Sequence, residues 1–426
     1  MSDQIANSFE LSESILLKFA KGTIDLTDSF AGINIKEDLF KPSLECVLEI
    51  IDGTNSLGIV DFDGTETFKI AFKSLRDDDE EINLTFRIYK VHVQVSEVKS
   101  DIKVYQLYAV TPEHYTQAVM DINQSFTVPV EEAVQSVFGK LGTNRKLETH
   151  KTSGIYTYIV PGMTPFETFE FLKRRAYDSK FRSSLFTFYE DADGYHFKNV
   201  EKLIKDNRKD AIPYRFVPNA SFTTDDDLLK NIEKLEISAN KDVMKKIKSG
   251  AYANAAKEID LMNQKVNVST CQIREDFITF EHLDDAAMSL DSKAIIDESL
   301  NIINSTQWLN KTSEETDNRA TLIPRRKFYF DCLSQVETRI VVPGNSNLRV
   351  GKVVDLDILE LAANEDKEQE PKVSGKYLIT RLAHTLDRGT YRCSMILNKE
   401  SYNACLLYTS DAADEGLGVD LGGRRI

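Results

Sequence analysis

Two short acidic stretches carry the oxygen ligands a calcium loop would use, Asp61-Phe62-Asp63-Gly64 and Asp191-Ala192-Asp193-Gly194. A calcium loop also needs a third oxygen ligand ahead of its glycine and a bidentate Glu after it. Six residues past the two glycines stand Ile70 and Val200, which cannot ligate. Both stretches therefore read as hairpin turns, in which Asp side chains accept from backbone amides just downstream. The six histidines, His92, His114, His150, His196, His282 and His384, include no pair spaced i,i+3 or i,i+4. Without such a pair a zinc site has no sequence signature, and a lone strand histidine such as His92 or His384 reads as packed or exposed. Fingerprints of a serine hydrolase elbow, a phosphate loop or a dinucleotide fold are absent from the sequence. A glycosidase-type pair of carboxylates is the enzymatic alternative, and none of the 68 acidic residues is marked out for it. The cluster Lys241, Lys245, Lys246, Lys248 could meet phosphate. On a short helix it reads as a solvated face or a contact for an acidic neighbour. The expectation is a protein that is not an enzyme, with no catalytic, cofactor or metal residue.

The totals agree. A chain of 426 residues exceeds one small core and suggests two to four domains. Its 41% hydrophobic and 28% charged residues are globular proportions, and the net charge of -15 disfavours nucleic acid. The apolar runs are too short for a membrane span, and Met1 to Ser14 has neither the basic nor the apolar part of a signal peptide. Cys46, Cys271, Cys332, Cys393 and Cys405 are scattered, an odd set that reads as reduced thiols made in a cytosol. Cys46 and Cys393 fall at inward positions of strand patterns and should be small core residues. Residues 405–426 break the preceding pattern and resemble a translated sequencing adapter. They are set aside as a scar, with the natural C-terminus expected beyond Ala404.

The elements come from periodicity. Near the end, Leu348-Arg349-Val350 reads as a strand, Gly351 as a turn and Val353 to Ile358 as a second strand. A charged excursion from Asn364 to Lys372 should be a solvated loop. Leu378, Thr380 and Leu382 then alternate with Tyr377, Ile379 and Arg381. After Asp387-Arg388-Gly389, Tyr391, Cys393, Met395 and Leu397 repeat the pattern, giving a hairpin with one buried face. At the other end, Leu44, Cys46, Leu48 and Ile50 alternate in the same way before Asp52-Gly53. Phe68, Ile70 and Phe72, then Leu84 to Ile88, Lys90 to Val93 and Val104 to Tyr108, add further strands. Between these ends lies an α+β stretch. Val130, Val134, Val137, Phe138 and Leu141 form one helical stripe, with Pro129 in its first turn and Gly142 closing it. Thr164-Pro165-Phe166-Glu167 spells a capping box, with Phe169, Leu172 and Ala176 inward and Lys173, Arg174 and Arg175 flanking a solvated side. An aromatic hairpin, Leu185 to Tyr189 and Tyr195 to Phe197, follows. Next come a short strand at Leu235 to Ile237, a basic helix from Asn240 to Gly250 and a strand at Ile259 to Leu261. A polar region holds Trp308 and a run from Thr312 to Ala320, and Arg325 to Leu333 re-enters the sheet. The two β-rich ends share an order of strands and turns without sequence identity.

This order resembles the central baseplate hub proteins of contractile, T-even-like phage tails, and more distantly the spike proteins of type VI secretion. The resemblance rests on the closing hairpin with its acidic loop, on the helix and aromatic hairpin of the side region, and on the first β-rich stretch. It covers most of residues 20–400 and consists of strand and turn patterns rather than invariant side chains. The fold class it implies is α+β and β-rich. Two similar antiparallel β tube or barrel-like domains would carry an α+β side domain and a small inserted subdomain. The expected limits are 1–117 for the first tube-like domain and 118–222 for the side domain. The second tube-like domain takes 223–265 and 325–404, with 266–324 inserted.

The resemblance also implies a role. Three chains would form a homotrimeric, pseudo-sixfold ring joining a threefold spike to a sixfold tail tube and letting DNA pass. The implied partners are a tail spike or tail lysozyme protein and tail tube or tube-initiator proteins. No sequence-specific nucleic-acid binding and no membrane span are expected. The protein would sit in the virion baseplate after synthesis in the host cytoplasm. Alternatives are a tail-associated peptidoglycan hydrolase and the hub part of a type VI or other contractile injection spike.

Overall fold

Strands, several with alternating burial, build about half of the molecule. In a computed structural model, the described residues are 8–75, 79–95, 102–217, 224–239, 253–260, 264–272, 279–284, 286–287, 299–304, 319–334, 336–359, 373–387 and 389–402. The chain begins with β1 (Phe9–Leu11), β2 (Leu16–Phe19) and β3 (Gly22–Asp25). It continues through β4 (Phe30–Asp38), β5 (Glu45–Asp52), β6 (Thr67–Ser74), β7 (Ile82–Val95) and β8 (Lys103–Val110). A mixed region holds α1 (Pro112–Ala118), β9 (Ile122–Val128), α2 (Val130–Lys140), β10 (Leu147–Thr149), β11 (Tyr156–Met163) and α3 (Pro165–Lys173). After it come β12 (Phe186–Asp191), β13 (Gly194–Asn199), α4 (Val200–Asn207), β14 (Ile212–Phe216), α5 (Asp225–Leu229) and β15 (Lys234–Ala239). The rest is β16 (Ala253–Asp260), β17 (Lys265–Gln272), β18 (Ala286–Ala287), β19 (Ser299–Asn304), α6 (Arg319–Leu333), β20 (Val336–Pro343), β21 (Val353–Ile358), β22 (Gly375–Asp387), β23 (Thr390–Lys399) and β24 (Ser401–Tyr402).

One sheet spans both ends of the chain, in the order β15-β20-β23-β22-β4-β5-β8-β7-β6-β2-β3, with β21 also on β22. The fold is β-rich α+β, and the sheet contains a structural repeat. Strands β4, β5, β6, β7 and β8 lie in the order β4-β5-β8-β7-β6. Strands β15, β20, β21, β22 and β23 lie in the order β15-β20-β23-β22-β21, the same arrangement in the same chain order. The repeat extends to irregularities. β7 shifts register between Ile88 and Lys90, and β22 between Ile379 and Arg381, each against its hairpin partner. An extra residue on one strand bends it and increases its twist. The halves join where β22, past its bulge, pairs antiparallel with β4, Arg381 opposite Asp38 and Leu386 opposite Ile33.

Burial follows the alternation. Cys46, Leu48 and Ile50 on β5 face a core shared with Leu382, Cys393, Met395 and Leu397 of the other half. A second core lies in the side region, where α2 and α3 pack on β12 and β13. There Phe169 stacks on Phe188 at 4.0 Å and Phe186 on Phe197 at 5.1 Å. The capping box starts α3: the Thr164 hydroxyl accepts from the Glu167 amide at 3.4 Å, and the Glu167 carboxylate accepts from the Thr164 amide at 2.9 Å. Gly142 follows α2 with φ +65. Pro129 is the residue that caps α2 rather than a member of its first turn.

Several local expectations are corrected. Leu348-Arg349-Val350 is no strand but part of two successive turns, closed by Leu348 N to Asn345 O at 3.3 Å and Lys352 N to Arg349 O at 3.4 Å. Leu348 and Val350 are both buried, which mimicked a strand alternation. Arg325 to Leu333 belongs to α6, not to the sheet. Its buried Phe328, Tyr329, Cys332 and Leu333 recur at helical spacing, and Pro324 lies inside the helix. Ile259 and Asp260 end β16, which forms a separate sheet in the order β17-β16-β19, with α6 against it. Asp61 to Gly64 is no hairpin turn, because β5 and β6 are not neighbours in the sheet. Lys173 is buried at the end of α3, where it pairs with Glu170. The helix from Asn240, the loop Asn364–Lys372, Trp308, most of the run Thr312–Ala320 and residues 405–426 lie outside the described residues.

The Asp191–Gly194 hairpin gives a test. Gly194 has φ +151, and a Cβ there would come within 2.6 Å of the Lys146 carbonyl oxygen. That oxygen accepts from the Tyr195 amide at 2.8 Å, so it cannot retreat without breaking the β10–β13 pairing. Gly194→Ala should lower stability by about 2 kcal/mol or more, read from urea denaturation.

Candidate functional site

The seam between the two halves concentrates the ionisable groups of the interior. β4 reads Ile33-Asn34-Ile35-Lys36-Glu37, so its alternation turns a carboxylate inward after two isoleucines. Glu37 is 1% exposed. One of its oxygens accepts from the Ala192 amide and the other from the Val350 amide, both at 3.1 Å. A single side chain thus ties the turn of the β12–β13 hairpin and the turn before β21 to the sheet. Arg349 completes the knot, donating to Asp193 at 2.7 Å and to the carbonyls of Ser346 and Leu348. Burial, with the charge of Asp191 adding to it and Arg349 opposing, pushes the Glu37 carboxyl up to about 8.

Two further side chains, Glu190 and Thr187, dock the side region. Glu190 on β12 accepts from the Leu44 amide at 2.9 Å and the Thr111 hydroxyl at 2.7 Å, with Arg145 3.3 Å away. Burial pushes Glu190 up to about 7. The Thr187 hydroxyl donates to the Leu39 carbonyl. At the far side, Asp284 accepts from the Lys376 amide at 3.2 Å and faces Lys399 at 3.6 Å.

One arrangement in this seam has the composition of a nucleophile, base and acid. Cys393 Sγ lies 3.6 Å from His384 Nδ1, and His384 Nε2 lies 3.9 Å from Glu37. The Tyr391 hydroxyl shares the same His384 nitrogen at 2.7 Å. Cys393, His384 and Glu37 are each at most 1% exposed, and burial, then Arg349, push the imidazole down to about 3. A substrate cannot reach this thiol, so the group is core packing that needs a neutral histidine. The inward Cys46 and Cys393 are core residues, as their strand positions imply.

The other sequence candidates are scattered. Asp61 pairs with exposed Lys21 at 2.9 Å, and Asp63 accepts from the Thr65 amide. His150 bonds Asp178 at 2.5 Å, His196 lies 2.9 Å from Asp191, and His114 lies 3.2 Å from the Ser43 hydroxyl. His92 is exposed on β7. Among the described residues no three metal-ligating side chains converge. The Lys241 cluster lies outside the described residues. The Glu37 knot was missed from the sequence, although an acid at an inward strand position was its signal.

The solvent face of the same seam is a groove of about 570 Å³ crossing β5, β4, β22, β23, β20 and β15. Its floor includes the small or aliphatic Val341, Ala383 and Ser394, and its walls include Lys36, Asp38, Glu45, Lys234, Glu236, Arg339 and Arg381. Arg381 pairs with Asp38 at 3.0 Å and Lys41 with Glu45 at 2.6 Å. Cations paired in this way are weaker anchors for phosphate than free ones.

With this geometry the chain compares with solved structures. It matches a tail protein from Neisseria meningitidis MC58 at a TM-score of 0.55 and 10% identity, covering 92% of this chain and 97% of that one. It matches the 43 kDa tail protein of prophage MuSo2 from Shewanella oneidensis at a TM-score of 0.56 and 9% identity, covering 91% and 99%. The chain has the fold of phage tail proteins. The E. coli c3393 protein, a type VI secretion component, scores lower at 0.43 with 9% identity, covering 92% of this chain and 77% of that one. No protein-family model matches the sequence. A search of curated proteins also returns no match. Among the described residues no helix is long and apolar enough to cross a membrane.

The knot sets a pH dependence. A carboxyl that holds its proton to about 8 when folded but to 4.5 ordinarily makes folding less favourable as pH rises between those values. His384, pushed down to about 3, acts oppositely and removes stability as pH falls below 6.5. Glu37→Gln should flatten the loss of stability between pH 5 and 8, measured as urea midpoints across that range. Glu37→Ala, which leaves the buried Ala192 and Val350 amides without their acceptor, should cost about 3 kcal/mol.

Proposed function

We propose that this chain is a structural subunit of the central hub of a phage tail baseplate. Three copies would form a ring that joins a threefold spike to a sixfold tube and leaves a passage for DNA. The observation that carries the reading is the five-strand repeat within one continuous sheet. Two like halves per chain and three chains give six like units, the number a sixfold tube needs beneath it. The fold shared with two phage tail proteins over nine-tenths of the chain supports the same role. In this reading residues 1–117 are the first tube-like module and residues 118–222 the side module on its outside. The paired charges of the groove fit a surface that DNA passes without binding. A spike protein would sit below the ring and tube-initiating proteins above it.

Sedimentation equilibrium of the purified chain should give three times the chain mass, and a monomer at every concentration would overturn the reading. Zymography on peptidoglycan should show no clearing, whereas a cleared band would favour the tail-borne hydrolase.

A further inference from the structure

Within the chain, β22 has two partners on one edge. Before its bulge it pairs with β21, Leu378 opposite Val353, and past the bulge with β4 of the other half. Its counterpart β7 repeats only the first part. Before its bulge it pairs with β6, Phe86 opposite Phe68, and the Ile88 amide donates to the Glu66 carbonyl. From Lys90 to Val95 the pairing of β7 among the described residues is with β8 alone, so the other edge stands open. The counterpart of β4 is β15, which ends the sheet and, among the described residues, pairs with β20 alone. Among the described residues the repeat therefore has one seam formed inside the chain and the two halves of a second left open, one on β15 and one on the second half of β7.

We infer that the open edge of β7 receives β15 of a neighbouring copy, repeating between chains the seam that β22 and β4 make within one. This rests on the ring reading above. The register transfers residue by residue. His384 opposite Ile35 becomes Val93 opposite Ile237, and Leu386 opposite Ile33 becomes Val95 opposite Leu235. Thr385 opposite Asn34 becomes Gln94 opposite Glu236, a pair of amide and carboxylate that can hydrogen-bond. The sides agree as well. Val91 lies opposite Leu107 and Val93 opposite the buried Tyr105, which puts Val93 and, two residues on, Val95 (opposite Lys103) on the core face of the sheet. Leu235 and Ile237 share that face with Ile340 and Thr338. Val93, Val95 and Ile237 are 43%, 52% and 42% exposed, a cost in a lone chain that cross-strand contact would remove. The interface is heterologous, so copies add head to tail until the ring closes.

The decisive experiment uses the full chain carrying Val93→Cys and Ile237→Cys under mild oxidation. Directly opposed antiparallel residues lie within disulfide reach. Cys46, Cys332 and Cys393 are buried, and either single variant serves as control. The expected result is a covalently closed trimer on a non-reducing gel from the double variant alone. Val93→Asp and Ile237→Asp, checked for unchanged circular dichroism, should each weaken assembly at least about tenfold. An oligomer that forms in the wild type but neither cross-links nor responds to either Asp variant would overturn the strand assignment and leave the ring standing. A wild-type chain that stays monomeric would overturn both.

Discussion

A bulge lets one strand serve two neighbours, and the rest of the molecule depends on that. Without the extra residue at Thr380, β22 would run on flat past the end of β21 and would not turn its second half toward β4. Thr380 is 4% exposed and held on three sides. Its hydroxyl donates within reach of the Ile396 carbonyl at 3.1 Å and Asn398 at 2.6 Å, and its carbonyl accepts from the Leu39 amide at 2.9 Å. A bulge fixed by that many bonds is a hinge locked in one position. It merges two small sheets into one core instead of leaving two edges in water.

Hydrophobic burial would close the two cores without choosing how they meet. The choice falls to polar groups whose bonding has direction. Glu37, Glu190 and Thr187 each reach a backbone group in another element, so a side region shifted by one residue would strand buried acceptors. Specificity of this kind costs stability, since Glu37 and Glu190 are both held far from their ordinary proton affinity. What that cost secures is a joint between the two cores fixed in register.

Much of this was legible in the residues. Alternation at Cys46, Leu48 and Ile50 and at Cys393, Met395 and Leu397 gave strands, faces and hairpins, because burial on one side is a local pattern. The capping box at Thr164 was equally local. What failed was the assignment of segments whose burial is set by distant partners. Leu348 and Val350 alternate because turns point both inward, and Lys173 looks solvated until Arg326 of α6 donates to its carbonyl at 3.0 Å. Helix α6 was hidden by a Pro inside it and by aromatic residues that favour strands. The repeat itself left no identity to read, since equivalent positions answer to different surroundings.

Those differences at equivalent positions carry information of their own. Gly32 on β4 lies so close to β22 that a Cβ there would meet the Leu386 carbonyl oxygen at 2.9 Å. The matching position on β15 is Lys234, which is exposed. Glu37 in the inner seam corresponds to Ala239, and buried His384 to exposed Val93. The inner seam thus holds residues that tolerate no solvent: a glycine pressed on backbone, a buried acid and a neutral histidine. The outer edges hold residues that survive in water and still match across a strand pair. A seam formed once, during folding, can be built from groups that fail when wet. A seam made between copies that have already folded could not, and the division of residues between β4 with β22 and β15 with β7 fits that rule.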